Sequence, residues 1–187
     1  LLLIATSLAA TACPGRDTTP VETPDAVDVP RLAGLATFTG DMLLRGAGQR
    51  NTEQIAEAIE TVGGHISVTT NRDATTIQVS VLREHLPLAL ELLADLSQRP
   101  TFPEEEVERF RQMELDRLSL MQSQPRWLVQ QAFYRYLYGA DHPYGHVDAD
   151  SESIRSLSRE HLEAFHQQYY VPRNSFLIAV GDVDTAA

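Results

Sequence analysis

From Gly34 onward, apolar residues recur at three- and four-residue spacing. Leu35, Phe38, Met42 and Leu43 define the buried stripe of a helix that runs to Gly46. A second helix is predicted from Asn51, whose side chain can cap the first turn while Gln54 reaches back to it. Ile55, Ala58, Ile59 and Val62 form its apolar face, and Gly63-Gly64 ends it. The period then changes to two. His65 to Thr70 and Thr75 to Leu82 alternate as strands, joined by a turn at Asn71-Arg72-Asp73. Leu86 to Leu96 reads as an apolar helix that stops before Pro100.

Pro103 and the run Glu104-Glu105-Glu106 suit the start of a helix reaching about Met121, where the acidic side chains complement the helix dipole. Another helix is expected over Pro125 to Tyr138. Its aromatic residues, Trp127, Phe133, Tyr134, Tyr136 and Tyr138, are expected to pack into the core. A loop from Gly139 to Asp150, two short helices to Tyr170 and a buried strand from Phe176 to Val180 complete the pattern. Helices and strands neither alternate nor segregate, which predicts an α+β fold with an antiparallel sheet and helices packed on one face.

The N-terminal region reads differently. Residues 1–12 are apolar or small throughout, too short to span a bilayer and suited to the hydrophobic part of a signal peptide. Cys13 follows three small residues, an arrangement that resembles the lipobox of bacterial lipoproteins, in which the Cys is lipidated. No Met precedes Leu1, so the sequence is expected to begin inside that signal peptide, residues 1–13. Residues 14–31 hold four prolines and four acidic side chains with little to bury, the composition of an extended tether. The folded domain is then expected over 32–187. Export to the periplasm with attachment to a membrane, the outer one by expectation, follows from this reading.

A net charge of -11, with 15 basic residues that are all Arg, makes nucleic acid a poor partner. One Cys excludes an internal disulfide and a thiolate zinc cluster. The histidines supply no metal-binding pair on a helix. His142 and His146 are separated by Pro143 and Gly145, His161 and His166 point different ways, and His65 and His85 open a strand and a helix.

The order of segments is more specific than any one of them. It runs Gly34-Leu35-Ala36, Met42, Gly46, Arg50, Ile59-Glu60, Gly63-Gly64, Asp73, Thr75 and Phe102 with Glu105. It continues through His142-Pro143-Tyr144-Gly145, Tyr170-x-Pro172-x-Asn174 and Val180-Gly181-Asp182. Together these resemble the insulinase/pitrilysin family of zinc metallopeptidases over about residues 33–184. The resemblance implies a His-x-x-Glu-His motif on the first helix, two zinc-binding His with a Glu as general base, and a third Glu ligand about 75 residues on.

None of these is present. Thr37 stands at the first ligand position, Gly40 at the base and Asp41 at the second ligand, and Arg117 lies 76 residues beyond Asp41. The motif lies between Ala36 and Met42, which leaves no room for a shift. An ion pair between Asp41 and Arg117 is expected where zinc would sit.

The resemblance also implies a role without catalysis, since degenerate members pair with catalytic ones to enclose a chamber. The expectation is a lipid-anchored, non-catalytic subunit that contributes chamber wall and peptide contacts beside a zinc-bearing partner, itself holding no cofactor. Two rivals remain open: a zinc peptidase using substitute ligands such as Asp41 with His65, and a peptide-binding lipoprotein that acts alone. Family subunits carry two such domains and a strand hairpin before the first helix. The chain is therefore expected to be a fragment whose sheet has an unpaired edge.

Overall fold

The computed structural model describes residues 2–9, 33–71, 73–139, 142–145 and 149–183. The chain enters as β1 (Leu2–Ala9), then forms α1 (Leu35–Met42), which tightens into a 3-10 turn over Leu43–Arg45. A short hairpin of β2 (Gly46–Ala47) and β3 (Arg50–Asn51) leads into α2 (Thr52–Thr61). β4 (His65–Thr70) and β5 (Ala74–Val81) follow, then α3 (Leu86–Gln98), α4 (Glu104–Gln122) and α5 (Pro125–Tyr138). α6 (Ser151–Ser156), α7 (Arg159–Tyr169) and β6 (Phe176–Val180) end the described chain.

The main sheet is antiparallel, in the order β4-β5-β1-β6. β5 shows the expected alternation: Thr75, Ile77, Val79 and Val81 are buried, and the residues between them are half-buried. α1 lies across β4 and β5 and against α7, while α3 covers β5 and β1, so the core fills the space between one sheet face and these helices. Asn51 caps α2 as expected, accepting from the Gln54 backbone at 2.9 Å while the Gln54 side chain accepts from the Asn51 backbone at 3.0 Å. At the β4–β5 turn the Asn71 side chain accepts from the Asp73 and Ala74 amides.

Three expectations are corrected. The sheet position thought to lack a strand is filled by β1, which pairs with β5 from Leu2↔Val81 to Ala9↔Ala74 and with β6 from Leu3↔Val180 to Ser7↔Phe176. A run of small and apolar residues meets the needs of an internal strand as well as those of a leader, and periodicity does not separate the two. Second, β6 is exposed along its whole length, not buried. Third, α5 buries none of its residues: Phe133 is 56% and Tyr136 90% exposed. A buried-looking composition shows that a surface is apolar, not what covers it. Cys13 and the tether of residues 14–31 lie outside the described residues, as do Arg72 and His146.

Candidate functional site

The site implied by the sequence lies where α1 faces α4 and the end of β4. α1 buries Leu35, Ala36, Phe38, Thr39, Gly40 and Met42 and leaves Thr37 exposed. Phe38 meets Phe110 of α4 edge to face with ring centroids 4.7 Å apart, a pair worth about 1 kcal/mol beyond the area it buries. This contact sets α1 against α4. The 3-10 turn that follows brings Arg45 over the Phe110 ring at 5.6 Å and to 4.0 Å from Glu106.

Gly40 approaches the sheet closely. A Cβ at this position would lie 2.2 Å from the Thr70 hydroxyl, which is itself hydrogen-bonded to Thr75 at 3.1 Å. The two threonines fill the space that a side chain from position 40 would enter, and Thr70 would have to rotate to admit one. Both follow the strand pattern, and nothing in the sequence marks them as neighbours of Gly40.

Asp41 is half-buried, and its pKa is pushed up from 3.8 to about 6. Burial is the main cause; Glu114 raises it further, while Arg45 and Arg117 pull it down. Arg117 thus lies within electrostatic reach of Asp41. The Nε of Arg117 donates to Glu114 at 2.8 Å, and 44% of its side chain is exposed. Glu114, one helical turn before Arg117, is a member of this cluster that the motif comparison missed, although its spacing on α4 could have disclosed it. Tyr170 lies on the buried side. Its hydroxyl is near Thr75 without a satisfactory hydrogen bond, and burial pushes its pKa up to about 12.

The histidines are distributed elsewhere. His65 opens β4 at the end opposite Thr70, and five residues of strand span roughly 16 Å, so it is not brought to Asp41. His161 caps α7 together with Ser158. His166 is buried, with Nε2 2.9 Å from the Ser97 carbonyl oxygen and its ring stacked on Tyr170; burial lowers its pKa. His142 stacks on Tyr138. Arg50 serves the hairpin, donating to the buried Asp95 at 2.9 Å and to Glu91 at 2.8 Å, with Arg99 also bonded to Asp95.

Comparison with known proteins agrees with this architecture. The family model described as Insulinase (Peptidase family M16) matches residues 22–144. An uncharacterized zinc protease of Rickettsia felis is 32% identical over 152 residues, which is 81% of this chain and 37% of that protein. One from Mycobacterium tuberculosis is 30% identical over 154 residues, 82% of this chain and 35% of the relative. The crystal structure of a peptidase M16 inactive domain from Pseudomonas fluorescens superposes with a TM-score of 0.85 at 24% identity, covering 99% of this chain and 42% of that one. The periplasmic protease PqqL of Escherichia coli gives a TM-score of 0.78 at 20% identity, covering 99% of this chain and 20% of that one. The chain belongs to the insulinase family, peptidase family M16, and spans a little over a third of the length of the curated relatives it matches.

Zinc is the metal this family implies, and the residues present do not fit it. A catalytic zinc needs three convergent protein ligands and an open position for water. Here the four positions offer an exposed hydroxyl, no side chain, one carboxylate and a cation. Among the described residues no three His, Cys, Asp or Glu side chains gather into a group able to hold a metal ion.

Proposed function

We propose that this chain is the non-catalytic member of a bacterial periplasmic peptidase assembly of the insulinase type. It supplies chamber wall and peptide contacts beside a catalytic subunit that holds the zinc, and it binds none itself. The observation that carries this reading is the cluster at the lost site. Asp41 is the single metal-binding side chain left among the four positions, Gly40 cannot take a proton, and Arg117 puts positive charge where a third anionic ligand would stand. A scaffold retained around an erased catalytic set suits a partner that shapes a chamber. An inactive domain and a periplasmic protease among the similar structures support the same reading.

Lipidation at Cys13 remains part of the proposal. Cleavage before Cys13 would remove Leu2–Ala9, so anchoring and strand β1 are exclusive fates of one segment. The protein purified from its native host tests both points. Mass spectrometry of the N-terminus shows which fate was taken. Peptide cleavage is then assayed with the chain alone and with a family member carrying intact His-x-x-Glu-His. Silence alone, and chelator-sensitive cleavage in the mixture that exceeds the catalytic member's own, are expected. Chelator-sensitive cleavage by the chain alone would overturn the reading.

A further inference from the structure

β1 stands inside the main sheet, not at its margin. It pairs with β5 on one side, from Leu2↔Val81 to Ala9↔Ala74, and with β6 on the other, from Leu3↔Val180 to Ser7↔Phe176. Among the described residues β6 has no other strand neighbour, and β5 has only β4 besides. Without Leu2–Ala9, both strands would present unpaired N–H and C=O groups across a strand-wide gap, which is a template for another strand. One side of that gap is the core. Ile77, Val79 and Val81 of β5 are buried there, and α3 lies across β5 and β1. The place is therefore shaped for a strand of a definite kind: extended, antiparallel to both neighbours, with apolar residues at alternate positions.

The segment that fills this place is also the one that cleavage before Cys13 would remove. We propose that processing opens the place between β5 and β6, and that the processed domain takes up there an extended apolar strand from another protein, by strand addition. Maturation and assembly are then coupled: the precursor is closed by its own Leu2–Ala9, and the processed chain is completed by its partner. The proposal rests on the cleavage proposed for Cys13. The N-terminal mass reports that step, and strand exchange in the cut protein is measured without it, so either can fail alone.

The test uses the full chain with a protease recognition site inserted after Pro20 and cut only after folding, so that strand pairing alone holds residues 1–20 to the rest. A labelled peptide with the sequence of Leu2–Ala9, kept soluble by a pair of Lys at its C-terminus, is added in excess in mild urea, and the domain is then separated by gel filtration. The label is expected to elute with the cut protein and the original segment to be lost from its mass spectrum, whereas the uncut protein should take up none. A Thr6→Pro peptide lacks an N–H that a strand paired on both sides must donate, and should bind about tenfold more weakly. Ile4→Asp should weaken binding as much, because its register partner Val79 is buried. Equal uptake by cut and uncut protein, or variant peptides that bind like the parent, would overturn the proposal. So would a segment that never exchanges, or one whose release leads to unfolding seen by circular dichroism or to dimers that exclude the peptide.

Discussion

Asp41 occupies a position where, in the catalytic pattern, an imidazole would meet a metal, and its environment shows how the charge there has been rearranged. Its folded pKa of about 6 lies above the ordinary 3.8. Between those values the native state binds more protons than the unfolded chain, so stability falls as pH rises through this window and levels off above it. Asp41→Asn removes that penalty. The variant should match the parent near pH 4 and exceed it at pH 7.5 by about 1 to 2 kcal/mol, after discounting for solvent screening. Urea unfolding at the two pH values measures the difference. Arg117→Gln should widen the gap, because Arg117 holds the Asp41 pKa down, and Glu114→Gln should narrow it. A gap unchanged by pH, or moved the same way by both substitutions, would contradict this account of the site.

Among the elements, those governed by local chemistry were legible. Asn51 and Gln54 form their reciprocal cap because the needed side chains sit three residues apart, and Gly63 closes the same helix at a φ of 62° that other residues resist. Asn51→Ala should cost about 1 kcal/mol of stability by leaving the Gln54 amide without its acceptor, whereas Asn51→Ser should cost much less. Thermal unfolding of the two variants distinguishes a cap from a general surface effect, which would make them equal. What the pattern could not assign was the covering of each apolar element. β5 and α5 both read as core, yet β5 lies under α1 and α3 while α5 faces solvent on its apolar side. β1 falls within the residues read as a leader, since eight apolar and small residues carry no signal that separates a leader from an internal strand. At the site, Thr37, Gly40, Asp41 and Arg117 could be found by alignment. Glu114, Arg45 and the Thr70–Thr75 pair became visible only when the helices and strands were brought together.

For the whole molecule, the family fold stands beside positions that lack the metal-binding side chains the family implies. α1 and α4 are held together by Phe38 against Phe110, and the Arg50–Asp95–Arg99 ion network ties β3 to α3. β6 and α5 leave apolar side chains open to solvent among the described residues. The central claim is that this domain keeps the peptidase architecture without the metal. It is tested most directly by the zinc content of the purified protein after equilibration with zinc and dialysis. The account predicts no stoichiometric zinc and no change in thermal stability on adding a chelator. One tightly held zinc per chain, lost to chelator with a fall in stability, would contradict it.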